Sequence, residues 1–163
     1  MTHPGPGWAV ALERSAFGAW MRQALWAYPA AEILHLVGIA LLVGSVALFD
    51  LRLLGLSRHL PVSLLAHHLL PWAWWGFALV VVSGLGMFTA HASEWLASPA
   101  FPVKMGLLVA AGLNRAVFHH GVYRTVESWD RDVPVPRAAR ASGALSLLLW
   151  GGVVVCGRLL AYL

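Results

Sequence analysis

Four long stretches of this chain are nearly free of charge, and charge, proline and glycine collect in the segments between them. The apolar stretches run over about 30–54, 64–90, 101–123 and 138–163. Each supplies the roughly 20 residues that, at ~1.5 Å rise per residue, cross a hydrocarbon core of about 30 Å. The first two connections are short, whereas 124–137 contains ESWDRDVPVP, whose prolines stop a helix. Ahead of the spans, 8–28 sets Trp8, Leu12, Trp20, Ala24 and Tyr28 near one helical face, with Glu13, Arg14, Arg22 and Gln23 elsewhere. That is the pattern of a helix lying at the headgroup boundary. Pro29 suits the first turn of the helix that follows, where a missing donor is harmless. The expectation is an all-α polytopic membrane protein: one domain over 1–163, an up-down bundle of four transmembrane helices with an N-terminal interfacial amphipathic helix.

Composition strengthens the membrane reading. With 60% hydrophobic residues, 11% charged residues, a mean hydropathy of +0.72 and nine Trp in 163 residues, the chain is too apolar for a soluble domain. Its net charge of +4 does not mark a nucleic-acid binder, because the basic residues are scattered and no RNA-binding aromatic pattern accompanies them. They bear on orientation instead. Arg52, Arg58, Arg124, Arg131, Arg137 and Arg140 gather at one end of the spans, against Arg14, Arg22, Lys104 and Arg158 at the other. This excess predicts cytoplasmic loops after the first and third spans and both termini outward, periplasmic in a bacterial inner membrane. A single cysteine, Cys156, excludes an internal disulfide and a C-x-x-C-H site for covalent haem. The opening residues lack a charged region ahead of an apolar core, so no cleaved signal peptide is expected. No carboxylate pair, nucleophile motif, phosphate loop or zinc-spaced cluster occurs, and whether the protein is an enzyme stays open.

Candidate chemistry comes from polar residues at membrane depth, where an ionisable group costs a few kcal/mol or more unless it is paired, ligated or hydrated. Depth along the spans sorts them into two layers. The outer layer holds His35, Gly86, Lys104 and Arg158, with His91 at its mouth; the inner layer holds Asp50, His67, His68, Arg115, His119 and His120. On the third span, at ~100° per residue, Arg115 falls within about 20° of Lys104 and His119 within about 60°, whereas His120 points away. His120 reads as interfacial, and His59 and His3 as solvated. Pro71 is expected to kink the second span, and it leaves the choice between His67 and His68 undecided. Gly84 and Gly86 allow close helix approach, and Ser142, Ser146, Gly152 and Cys156 are small packing positions.

Haem b uses this set of residues: axial nitrogen ligands from facing helices, small residues beside its ring, and arginines for its propionates near the membrane boundary. The outer layer would supply His35 and Lys104 as ligands, Gly86 for clearance and Arg158 for a propionate. The inner layer would supply His68 and His119, with Arg115 or Arg52 near a propionate, giving one haem or two. Competing assignments exist for most of these groups. Glu32, three residues before His35, could hold its ring. Asp50 and Arg115 are expected to form an interhelical ion pair. Lys104 could snorkel to the interface. His68 and His91 could be interfacial rings or hydrogen-bond partners, and Trp72, Trp74 and Trp75 are expected to serve as an interfacial belt and in helix packing.

The runs LHLVGIALLVGSVALFDLRLLGL and FPVKMGLLVAAGLNRAVFHH resemble a family of small bacterial four-helix membrane proteins of unknown function. More distantly, His35 early in one span and Lys104 opening a later one resemble the copper-resistance D-type proteins and the haem-binding membrane protoporphyrinogen oxidase. In that oxidase family a first-helix His and a Lys on a later helix are the presumed haem ligands, which is the role the resemblance implies for His35 and Lys104. Three functional classes follow. One is a b-type cytochrome passing electrons between its haem and quinone or a partner redox protein. Another is a porphyrinogen-type oxidase. The third is a copper-handling or cofactor-free anchor subunit, with Met87, Met105, His35 and His91 as the copper ligands. Expected partners are the lipid bilayer, quinone or a redox subunit, and further chains in a homo- or hetero-oligomer, with no nucleic acid.

Overall fold

A computed structural model describes residues 5–160; His3 and positions 161–163 of the fourth expected span lie outside the described residues. The chain is all-α. Helices α1 (Gly7–Arg14) and α2 (Ala16–Gln23) precede α3 (Ala27–Leu54), α4 (Val62–Ala97) and α5 (Ala100–His120), and a 3-10 segment (Val122–Ser128) leads into α6 (Arg137–Leu159). Helices α3 to α6 are long and apolar enough to cross a membrane, which makes this a multi-pass membrane protein.

Local chemistry explains most of the boundaries. Helix α3 starts at Ala27 with Pro29 inside its first turn. It ends where Gly55 turns left-handed at φ 109, so that Gly55 N–H reaches Arg52 O and Leu56 N–H reaches Leu51 O, satisfying carbonyls the helix leaves open. Helix α4 is longer than the apolar pattern implied. Its backbone keeps helical φ/ψ through Pro71 and leaves helical geometry at His91 (φ −137, ψ 36).

That break in α4 is held by the N-terminal segment, which is two helices rather than the single one expected over 8–28. Ser15 interrupts it: its hydroxyl donates to Leu12 O and accepts from Gly18 N–H, a local alternative to continuing the helix. Both short helices pack on α4 and turn Trp8 and Trp20 outward, in keeping with an amphipathic segment. Gly18 permits the approach, since a Cβ there would lie 2.8 Å from Thr89 O. Next to the break, Ser93 N–H donates to Glu13 Oε1 at 2.6 Å, while Arg22 donates to Ala90 O at 3.0 Å and to Glu13 O at 2.6 Å. Glu13→Ala should therefore lower stability by about 0.5–2 kcal/mol, the range for losing a helix cap. Glu13→Gln keeps an acceptor and should cost less; thermal unfolding in detergent measures both, and equal losses would argue against capping.

Around the bundle the helices follow the order α4, α3, α6, α5. The tightest seam is α3 on α4, at Gly38 and Gly76 rather than at Gly84 and Gly86. A Cβ on Gly76 would lie 2.6 Å from Leu42 N and 2.8 Å from Gly38 O, so backbone meets backbone. Helix α6 approaches α3 at Gly143 and α5 at Gly152, and Asn114 and Ser142 add two reciprocal hydrogen bonds of 3.0 Å between α5 and α6. Helices α4 and α5 barely touch, which leaves the ring open on that side, with α3 and α5 facing each other across the diagonal.

The arginine-rich end is closed by Arg52. Expected near a propionate, it is instead 2% exposed and donates to Leu60 O, Arg58 O and Asp130 O, tying the α3–α4 connection to the α5–α6 connection. Asp130 also caps α4, accepting from Ser63 N–H at 2.7 Å and from the Ser63 hydroxyl at 2.9 Å. Beneath them Trp129 packs with Phe49, Leu53, Val62 and Phe118.

Candidate cofactor site and central cavity

His35 projects from α3 toward α4, half-buried, over Gly84, whose Cβ would come within 3.2 Å of the ring's Cε1. The clearance expected of Gly86 is thus supplied by Gly84, while Gly86 faces Met21 of α2. Nδ1 of His35 lies 3.0 Å from the Ser83 hydroxyl. That hydroxyl has one proton, and it is directed to Leu79 O at 2.6 Å. A hydroxyl bonded this way is an acceptor for a ring protonated on Nδ1, the tautomer that leaves the Nε2 lone pair open. Glu32, the local competitor for the ring, is exposed and makes no such bond.

Lys104 stands at the same level on α5, half-buried, its Nζ 3.5 Å from where a Gly157 Cβ would be on α6. Arg158 follows Gly157 at the exposed end of α6. Among the described residues no three His, Cys, Asp or Glu side chains group to hold a bare metal ion, but axial ligation of haem needs only two donors from facing helices. For the copper set, Met105 is exposed, and His91 lies 3.1 Å from Glu94 and edge-on to Tyr28.

The inner layer does not come together as expected. His67 and His68 are both exposed, and His68 bonds the Leu64 carbonyl of its own helix, so it does not face His119. No ion pair joins Asp50 and Arg115 among the described residues: the Arg115 guanidinium lies 5.2 Å from the centre of the Trp74 ring. Trp72, Trp74 and Trp75 are exposed next to Gly76, which crosses α3 near its middle, so they sit at mid-depth rather than in an interfacial belt. Ser83, Asn114 and the arginine–tryptophan contact were not singled out from the sequence. The first had a signal, since a serine beside a glycine at the depth of His35 is a natural partner for it.

All four spanning helices enclose a cavity of about 390 Å³. Its walls are mostly apolar and aromatic, and its polar groups include Asp50, Arg115, His119 and Ser146. His119 has Nδ1 3.3 Å from Arg115 O, an acceptor, so in the neutral ring its Nε2 is also a bare acceptor. Asp50 is 4% exposed, and its Oδ2 is buried with no hydrogen-bond partner.

Residues 18–163 match the profile of a family of unknown function, DUF6644, and the chain belongs to that family. No curated protein and no solved structure matches it.

Proposed function

We propose that this DUF6644 protein is a membrane b-type cytochrome in which His35 of α3 and Lys104 of α5 would hold the iron of one haem b. The observation that carries this reading is the contact of His35 Nδ1 with the Ser83 hydroxyl. With its own proton on Leu79 O, the Ser83 hydroxyl is an acceptor for Nδ1–H, and metal-bound histidines characteristically donate their second N–H in this way, which orients the ring and raises its basicity. Lys104 supports it by standing at the same depth on the diagonal helix, where its neutral amine can serve as the second donor. Arg158 offers positive charge for a propionate at the membrane boundary. A bound haem would supply one-electron redox chemistry, exchanged with quinone or a redox partner protein. The distant likeness to the haem-binding oxidase family rests on the same two side chains. The test is an optical spectrum of the purified full-length protein from haem-replete cells, oxidised and dithionite-reduced. A Soret band that shifts on reduction is expected, and a colourless protein would sink the cytochrome reading.

The arginine excess supports a bacterial inner membrane orientation with the α3–α4 and α5–α6 connections in the cytoplasm and both termini in the periplasm. Reporter fusions after Arg58 and at the C-terminus should then mark opposite sides of the membrane. Finding them on one side would overturn this topology.

A further inference from the structure

We infer that the central cavity is a binding site for a lipid-soluble hydroquinone, which enters from the bilayer between α4 and α5 and is anchored through a hydroxyl donated to Asp50. The redox use of this site rests on the cytochrome reading; its occupancy does not.

The first support is an unmet acceptor. Asp50 is buried on the cavity wall with Oδ2 unbonded, and a buried acceptor without a donor is costly enough that native structures rarely retain one without a use. A carboxylate oxygen calls for a donor, and the cavity's volume lies within the range of small-molecule sites. The nearby cation does not fill the role, because Arg115 is turned onto Trp74.

Charge and shape then narrow the ligand. Arg115 on the wall disfavours a cationic amine, and Asp50 disfavours an anion, which leaves a neutral molecule with hydroxyl donors. Phe49, Trp74, Phe77, Phe118 and Trp150 line the space, as suits a flat aromatic body. A second acceptor, Nε2 of His119, stands on the diagonal helix, so α3 and α5 each present one acceptor to a ring with a hydroxyl at both ends.

Entry is lateral. Helices α4 and α5 barely touch, and the cavity residues nearest that gap, Trp74, Phe77, Val81, Val109 and Gly112, are themselves exposed. The mid-depth position of Trp74, unusual for a residue that favours interfaces, is accounted for by its place at this portal.

The test is equilibrium binding of anaerobic decylubiquinol, and of its dimethyl ether, to the full-length protein in lipid nanodiscs. The quinol should bind saturably and at least tenfold more tightly than the ether. Asp50→Ala should lower the quinol-to-ether ratio at least threefold, the remaining preference resting on His119. Gly112→Phe should abolish binding of both while leaving the helical circular dichroism intact, since a Cβ at Gly112 meets nothing within 4 Å. Absence of saturable quinol binding, a quinol-to-ether ratio unchanged in Asp50→Ala, or unaltered binding in Gly112→Phe would each overturn the proposal. A colourless protein that binds the quinol defeats the cytochrome reading alone, and a coloured protein that does not bind it defeats this site alone.

Discussion

His35→Ala protein, purified from haem-replete cells, is expected to lack the Soret band of the unsubstituted chain, while Lys104→Ala keeps the band with an altered spin state. The asymmetry follows from how each side chain is held. His35 is fixed by Ser83 and by the space over Gly84, so its ring is preorganised, whereas Lys104 reaches its position on a flexible stem. Ser83→Ala separates ligation from packing. It leaves the His35 ring in place but removes the acceptor for Nδ1–H, and should weaken haem retention by about 10–100-fold, the usual effect of losing a partner behind a metal-bound histidine. Spectral titration of the haem-stripped protein reads this directly. A purely structural His35 would give the opposite record, a lowered melting temperature in both His35→Ala and Ser83→Ala with no spectral change.

Gly76→Ala is expected to be the most damaging single-methyl change in the bundle, at about 1–3 kcal/mol or more, the cost of forcing extra volume into a packed seam. The atoms in the way are Leu42 N and Gly38 O. Backbone cannot rotate aside as a side chain can, so α3 and α4 must separate along their length. Gly44→Ala is the control. Nothing lies within 4 Å of its Cβ position, and there the change should stabilise by roughly 0.5–1 kcal/mol through helix propensity alone. Opposite signs in denaturant unfolding are the expected result; equal effects would mean that α3 and α4 do not meet at Gly38 and Gly76.

The four spans were legible because length and apolarity decide membrane crossing almost without regard to neighbours. The depth of His35 and Lys104 was legible for a related reason: residue counting along a helix gives depth reliably. Azimuth was not. Whether Arg115 meets Asp50 or Trp74, and whether His68 faces His119 or outward, depends on rotations that an apolar helix does not record, since lipid and protein interior are both apolar. Gly38 and Gly76 escaped notice because a close seam needs two glycines to coincide across helices, and either alone is unremarked in a membrane span. The N-terminal pattern placed Trp8 and Trp20 on an outward face but ran through Ser15, where a hydroxyl competes for the backbone. Arg52 read as a free charge near a loop; only the fold brings it three carbonyls.

The hydrogen bonds from Asp130 set an order on biosynthesis. Ser63, which begins α4, and the aspartate that caps it are separated by 67 residues, and one of Arg52's carbonyl acceptors belongs to that same aspartate. Asp130 lies 33 residues beyond Ala97, the end of α4, so at about 5–20 residues per second of translation the completed α3–α4 hairpin exists for roughly 2–7 s with its arginine incompletely bonded and its second helix uncapped at the arginine-rich end. During that interval the hairpin is held by its glycine seam, the His35–Ser83 contact and the N-terminal helices, and the later pair of helices arrives carrying the clasp. A chain truncated before Asp130 would therefore be a substrate for membrane quality control even though its first two spans are complete.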